Sequence, residues 1–394
     1  MDPIIKMKYY LSLKFALSVA IPLSVLISCS QVKESKDSTE VLGFDTKVTL
    51  YPKVVRGYDI IPLEQTEDCI LTGIRKIAIV DSSYVIFDNY NSLIVRYDAK
   101  GKFLNRIGNK GRASSEYLRI DAFAVDEEGH ILIFDGSLDR ILVYEPDGRY
   151  ISSIAFQRRS LGFINDVACL VKGEFIVNNC VYNDYNDIYR MLSIKDKKFS
   201  HLAGFPMLSE DIVEPTGRAT ISSYGRILFL KPFDDTLYSI NERGQVSPVL
   251  HVRHAAKSID DKYYENHVNF SVATTYTEVS KNGYFTGFVS VFETNLYILL
   301  NTFDDIYFLV DKDTYSGRAL QLFSCEDYGG VPLMNVAASF SGGFVGYWRP
   351  GDISDESILE LIDNSANESV KGFASTLKEQ PEDGNPCLIV YHME

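Results

Sequence analysis

The chain has 394 residues, 46% hydrophobic and 23% charged, with 26 Gly and 13 Pro. That ordinary globular composition excludes wholesale disorder, a collagen, a coiled coil and a disulfide-dense miniprotein. Formal charge is −14, from 39 basic and 53 acidic residues, which argues against a nucleic-acid binder held by phosphate contacts. One imbalance is informative: 25 Tyr and 23 Phe stand against a single Trp, and aromatic residues favour strands.

The first 28 residues read as a signal peptide. Lys6, Lys8 and Lys14 form a basic start, and Phe15 to Ile27 is an apolar run broken only by small residues and Pro22. The run is too short for a spanning helix, which needs about 20 residues, and fits a secretory signal. It closes on Leu26-Ile27-Ser28-Cys29, which resembles a bacterial lipobox and makes Cys29 the expected lipidation site. Residues 29–57 then read as a lipidated tether and 58–394 as the folded part. Losing residues 1–28 removes three Lys and one Asp, leaving 36 basic and 52 acidic residues, net −16. The expected location is the cell envelope, lipid-anchored to the outer membrane and touching the membrane through its acyl chains only. Of the five other cysteines, Cys169 and Cys180 are candidates for a hairpin disulfide, with buried unpaired strand cysteines the favoured reading.

The rest of the chain is organised by internal repetition. Phe87-Asp88 to Phe103 aligns without a gap on Phe134-Asp135 to Tyr150, an offset of 47. Leu93-Ile94-Val95-Arg96-Tyr97 falls on Arg140-Ile141-Leu142-Val143-Tyr144, and Gly101 falls on Gly148. Each unit reads strand, turn, strand, tight turn, strand, with Gly closing the tight turn. Phe-Asp pairs recur at Phe233-Asp234 and Phe303-Asp304. Four strands at a period of 40–50 residues mark a propeller.

Six blades are expected: Ile74 to Ile107, Arg119 to Ala155, Leu161 to Leu202, Gly217 to Val252, Tyr284 to Phe323, and a last one from Leu333 to Tyr347 with Cys387 to Tyr391. The last lacks a strand, and the orphan segment Tyr58 to Leu63 is expected to fill it, closing the ring and removing a frayed edge. The predicted class is thus all-β: a six-bladed β-propeller of four-stranded antiparallel blades, closed by an N-terminal strand in the C-terminal blade. Short helical insertions are expected: Ile353 to Asn364 reads as an amphipathic helix, and Ser258 to Val279 as a polar cap.

The lipobox, Tyr97-Asp98-x-x-Gly101-Lys102-Phe103, Gly108-x-x-Gly111-x-x-x-x-Glu116-Tyr117, Asp235-Thr236-Leu237-Tyr238 and Asn385-Pro386-Cys387 together resemble six-bladed β-propeller lipoproteins of Bacteroides-type bacteria, relatives of NHL-repeat propellers. The resemblance implies fold and compartment but no reaction. One departure is Arg112-Ala113-Ser114-Ser115, where the family has a glycine- and proline-rich loop.

Candidate chemistry is sparse. Lys110, Arg112 and Arg119 on the Gly108 to Tyr117 connector suit an anion, although no P-loop is formed. The Phe-Asp aspartates read as turn residues rather than calcium ligands. His251-x-x-His254 is a poor metal pair, since on a strand the two would face opposite sides. Tyr182 and Tyr185, with Tyr263 and Tyr264, sit in polar aromatic segments expected to project as ligand-contacting loops. No metal or cofactor is expected. The favoured function is a non-catalytic recognition or scaffold module for a protein or glycan partner; the rival is a lyase or hydrolase working in the central pore.

Overall fold

Ser83–Asp88 and Ile131–Asp135 are buried along almost their whole length. Each is an inner strand of its sheet with another sheet packed on either face, a position that selects continuous apolar runs over alternation. In the computed structural model the described residues are 39–41, 55–156, 163–171, 174–180, 187–195, 198–206, 221–222, 226–231, 233–252, 254, 256–259, 263, 279–302, 307–320, 335–350, 381 and 383–393. Among them the architecture is all-β, a β-propeller, and no helix is long and apolar enough to cross a membrane. The expected helix at 353–364 lies outside the described residues.

The sheets follow the chain. The first comprises Ile74–Val80, Ser83–Asp88, Leu93–Tyr97 and Phe103–Arg106. The second comprises Ala122–Val125, Ile131–Asp135, Arg140–Tyr144 and Tyr150–Ala155. The third runs Phe163–Val171, Glu174–Cys180, Asp187–Lys195 and Lys198–Pro206. The fourth runs Ile221–Ser222, Ile227–Leu230, Thr236–Ile240 and Val246–Val252. Phe288–Glu293, Tyr297–Thr302, Tyr307–Asp311 and Gly317–Leu320 form the fifth. In the sixth, Ala338–Phe340, Gly343–Trp348 and Cys387–Met393 are followed by Val55–Pro62 on the outside. Thr39–Val41, expected within the tether, instead adds a parallel fifth strand to the outer edge of the fourth sheet.

The first strands of the sheets neighbour one another in cyclic order, the sixth returning to the first. Apolar layers fill the spaces between sheets. Phe87 meets Phe123 edge-on at 6.2 Å, and one sheet further Phe134 meets Phe175 at the same 6.2 Å. Burying each such ring is worth about 1.5–3 kcal/mol. The expected closure is present: Ile60 pairs with Ile389, Ile61 with Leu388 and Asp59 with Val390, antiparallel.

The repeated residues have repeated structural work. Asp88 is fully buried; its carboxylate accepts Thr72 N at 2.5 Å, Gly73 N at 2.8 Å and Asn91 N at 2.8 Å. Asp135 does the same one unit later for Leu118 N at 2.7 Å and Ser137 N at 2.9 Å. Each aspartate thus ties the connector entering a sheet to that sheet's middle turn, which agrees with turn chemistry. Gly101 and Gly148 take φ of +81° and +88° and lie against the preceding outer strand, where a Cβ would come 2.1 Å from Pro62 O or 2.5 Å from Arg106 O.

Candidate functional site

A channel of about 410 Å³ runs down the middle, lined by the first strand of every sheet. Those strands turn a free edge inward, so backbone N–H and C=O groups face it even where the side chains are apolar, as at Phe123, Ile221, Phe292 and Phe340. Lys76 is the one charged side chain among the described lining residues.

At the mouth where the first strands begin, the ionic groups are bonded to one another. Lys76 Nζ donates to Asp166 Oδ1 and to Val167 O, both at 2.8 Å, reaching past the Phe123 ring at 5.6 Å. Asp166 Oδ2 accepts Ile221 N at 3.1 Å, so this carboxylate joins the first, third and fourth sheets. Arg75 donates to Asn165 O at 2.8 Å and Oδ1 at 2.7 Å. Arg119 binds Asp121 at 2.5 Å, and Asp121 in turn accepts Gly136 N at 3.0 Å.

The three expected cations therefore separate. Arg119 is committed to Asp121, whereas Lys110 and Arg112 are exposed and have no ionic partner among the described residues. Their loop is not slack. Asn109–Lys110 pairs in parallel with Glu116–Tyr117, and the Glu116 carboxylate accepts Ala113 N at 2.9 Å. Arg140 donates to the carbonyls of Ala113, Ser114 and Glu116, and the Tyr144 hydroxyl to Ser115 O at 2.8 Å. Arg140 thus braces the Arg112–Ser115 segment with side-chain bonds to its carbonyls. Tyr90, on the middle turn of the first sheet with its ring over Gly73, is 77% exposed.

Tyr263 corrects its expectation. It is 4% exposed and packs on Tyr284 at 4.5 Å in an apolar cluster with Phe229 and Val279. Its polar neighbours in sequence disguise a core position. Cys29, Tyr182, Tyr185 and Tyr264 lie outside the described residues.

The histidine pair also behaves differently from its strand alternation. The outer strand ends at Val252, and His254, beyond it, turns back. His251 Nδ1 lies 3.1 Å from Asp235 Oδ1 and His254 Nε2 3.3 Å from Oδ2, while Ser258 donates to Oδ2 at 2.8 Å. Burial works to raise the Asp235 pKa, but the bonds from His254 and Ser258 and the two imidazoles outweigh it and hold the carboxyl below its usual range.

At the opposite mouth, Asp126, Glu128 and His130 bring metal-ligand atoms together on a hairpin turn. The Asp126 carboxylate is engaged there by Glu128 N, His130 N and His130 Nδ1, each at 2.9 Å. Cys169 lines the channel, and burial pushes its thiol up to about 11. It is free, and its strand register (Cys169 opposite Phe175, Cys180 opposite Phe163) places it far along the hairpin from Cys180.

Sheets, cyclic contacts and channel together define a β-propeller. The chain belongs to the family described as "Domain of unknown function (DUF4934)", which matches residues 47–392. A solved Bacteroides fragilis NCTC 9343 protein classed as exported is 18% identical, with a TM-score of 0.64 over 86% of this chain and 95% of that one. A Bacteroides vulgatus ATCC 8482 member of the DUF4221 family is 9% identical, with a TM-score of 0.52 over 86% and 97%. Virginiamycin B lyase from Staphylococcus aureus is 11% identical, with a TM-score of 0.42 over 73% and 80%. These likenesses concern the fold alone. No curated protein matches the sequence.

Proposed function

We propose that the six sheets are the blades of one closed six-bladed ring, and that the protein is a membrane-anchored recognition module. It binds a protein or glycan partner on the face where the first strands begin. The observation that carries this reading is the Lys110–Arg112 loop: two exposed cations held on a backbone braced by Arg140 and Tyr144. Such a loop meets an anionic group with little ordering cost, and the exposed Tyr90 ring, on the first sheet's middle turn over Gly73, offers a separate face for a sugar or side chain. Anchoring at Cys29 rests on Leu26-Ile27-Ser28-Cys29, and the exported class of the Bacteroides fragilis neighbour supports export. Channel chemistry, the rival, has less support, because the Lys76 ammonium is shared between Asp166 and Val167.

The test is a screen of residues 29–394 against glycan and peptide panels, with binding and turnover both read. Acidic members are expected to bind, and Lys110→Gln with Arg112→Gln to weaken them about tenfold, or about 1.4 kcal/mol. Turnover of a panel member, no binder in either panel, or unchanged binding by the double variant counts against it.

A further inference from the structure

In the Lys110–Arg112 recognition loop the acceptors are used up and the donors are not. Arg140 donates to Ala113 O at 2.8 Å, to Ser114 O at 3.3 Å and to Glu116 O, and the Tyr144 hydroxyl donates to Ser115 O at 2.8 Å. Consecutive carbonyls from Ala113 to Glu116 are thus held by groups of one strand, Arg140–Tyr144. In a trans peptide the N–H points opposite to the C=O of the residue before it. The N–H groups of Ser114 and Ser115 therefore point away from Arg140. Neither they nor the two serine hydroxyls are bonded among the described residues. Successive N–H groups turned the same way form an anion-binding concavity.

The charges agree with that sign. Lys110 and Arg112 are the exposed charged residues of the tip. Glu116, the loop's own acid, is half-buried, accepts Ala113 N at 2.9 Å and rests against Gly111. At the turn before Arg140, Asp135 is buried and accepts the N–H groups of Leu118, Ser137 and Leu138, and Asp139 is half-buried. The acids are thus turned inward, while the exposed charges are both positive. A carboxylate offers two oxygens and about four acceptor sites. Two N–H groups, two hydroxyls and two cations exceed that, and suit the three oxygens of a sulfate or phosphate ester.

No apolar side chain larger than Ala113 is exposed between Asn109 and Glu116, so a peptide's apolar residues find nothing to bury against. The serine hydroxyls and the Asn109 amide both donate and accept, as sugar hydroxyls do. We infer that the loop binds a sulfate or phosphate ester carried by a sugar, its oxygens on Ser114 and Ser115 with Lys110 and Arg112 alongside. This rests on the recognition reading above and narrows it to one chemical group.

The experiment is titration of residues 29–394, followed by amide resonance shifts, with glucose 6-sulfate, glucose 6-phosphate, glucuronate and glucose, which differ only at one carbon. At least one ester is expected to bind about tenfold tighter than glucuronate and to shift the Ser114 and Ser115 amides most; glucose is expected not to bind. Ser114→Ala with Ser115→Ala is expected to weaken the esters about tenfold, or about 1.4 kcal/mol, and glucuronate less, at an unchanged melting temperature. Lys110→Gln with Arg112→Gln should weaken esters and glucuronate together. Glucuronate bound as tightly as both esters, or equal losses for esters and glucuronate in the serine variant, overturns the inference and leaves the recognition loop standing. If no anion binds, both fall. O-Phosphoserine bound more tightly than glucose 6-phosphate overturns the sugar and assigns the loop to phosphorylated protein.

Discussion

Asn385 accepts the amide proton of Leu71 at 2.8 Å, joining residues 314 positions apart. Its Nδ2 donates to Cys69 O at 2.6 Å, Glu64 O at 3.0 Å and the Tyr97 hydroxyl at 3.2 Å. One buried amide therefore fastens the connector between the sixth and first sheets at the seam where the chain's ends meet. Asn385→Ala leaves several buried groups unsatisfied, at about 1–3 kcal/mol each, and is expected to lower the urea midpoint clearly. Deleting Cys387 to Glu394 removes a strand with partners on both sides and is expected to cost several kcal/mol of a total of about 5–15. A truncated chain melting within a degree or two of full length would contradict this.

Gly148 and Gly283 form a matched pair for testing the tight-turn packing. Both have positive φ, +88° and +76°, but only at Gly148 does a Cβ meet backbone, 2.5 Å from Arg106 O; at Gly283 nothing lies within 4 Å. Gly283→Ala should cost the left-handed strain alone, about 1–2 kcal/mol. Gly148→Ala should cost measurably more in thermal melts. Equal losses would mean that the second sheet does not rest on the first as described.

Cys169 is expected to be inert while folded. With its thiol pushed up to about 11, about one molecule in a thousand is thiolate at pH 8, against roughly a quarter for a free cysteine near 8.5. Iodoacetamide should label it hundreds of times faster in urea than in buffer. Non-reducing mass analysis should show no bond to Cys180: six residues of strand, about 20 Å, far exceed the roughly 7 Å limit between bridged Cα atoms. Rapid native labelling would sink the burial argument.

Asp235 gives a pH-dependent contribution with a definite sign. Its pKa is lowered in the folded state, so the stabilisation is fully present above the unfolded value of about 3.9 and is lost as pH falls through the folded value. Asp235→Asn should be destabilised relative to wild type at pH 7, and the gap should narrow below about pH 4. A gap that stays constant from pH 7 to pH 2.5 would show that the carboxylate charge contributes nothing.

What is legible in the sequence is whatever the repeat exposes. Asp88 and Asp135, or Gly101 and Gly148, recur because each unit needs the same tie and the same close approach. The closing strand is legible because Ile60 and Ile61 are apolar with no local partner. Contacts between separate sheets are not: Lys76 with Asp166, or Arg226 with Glu293, join positions 90 and 67 apart, and nothing local marks them. His254 departs from alternation because it lies past the strand's end. Tyr263 is hidden because Asp260, Asp261, Lys262 and Glu265 around it are polar. Thr39–Val41 gives no signal, since a three-residue strand held by backbone bonds needs no side-chain pattern.

A face on a propeller is rigid only if the ring is closed, and closure rests on Val55–Pro62 lying beside Cys387–Met393. Native-state hydrogen exchange measures this directly. Peptides covering residues 58–61 are expected to be as protected as those covering 388–391, both exchanging only through the global unfolding of the domain. Rapid exchange at 58–61 beside slow exchange at 388–391 would mean that the first strand is not part of the sixth sheet and that the ring is open.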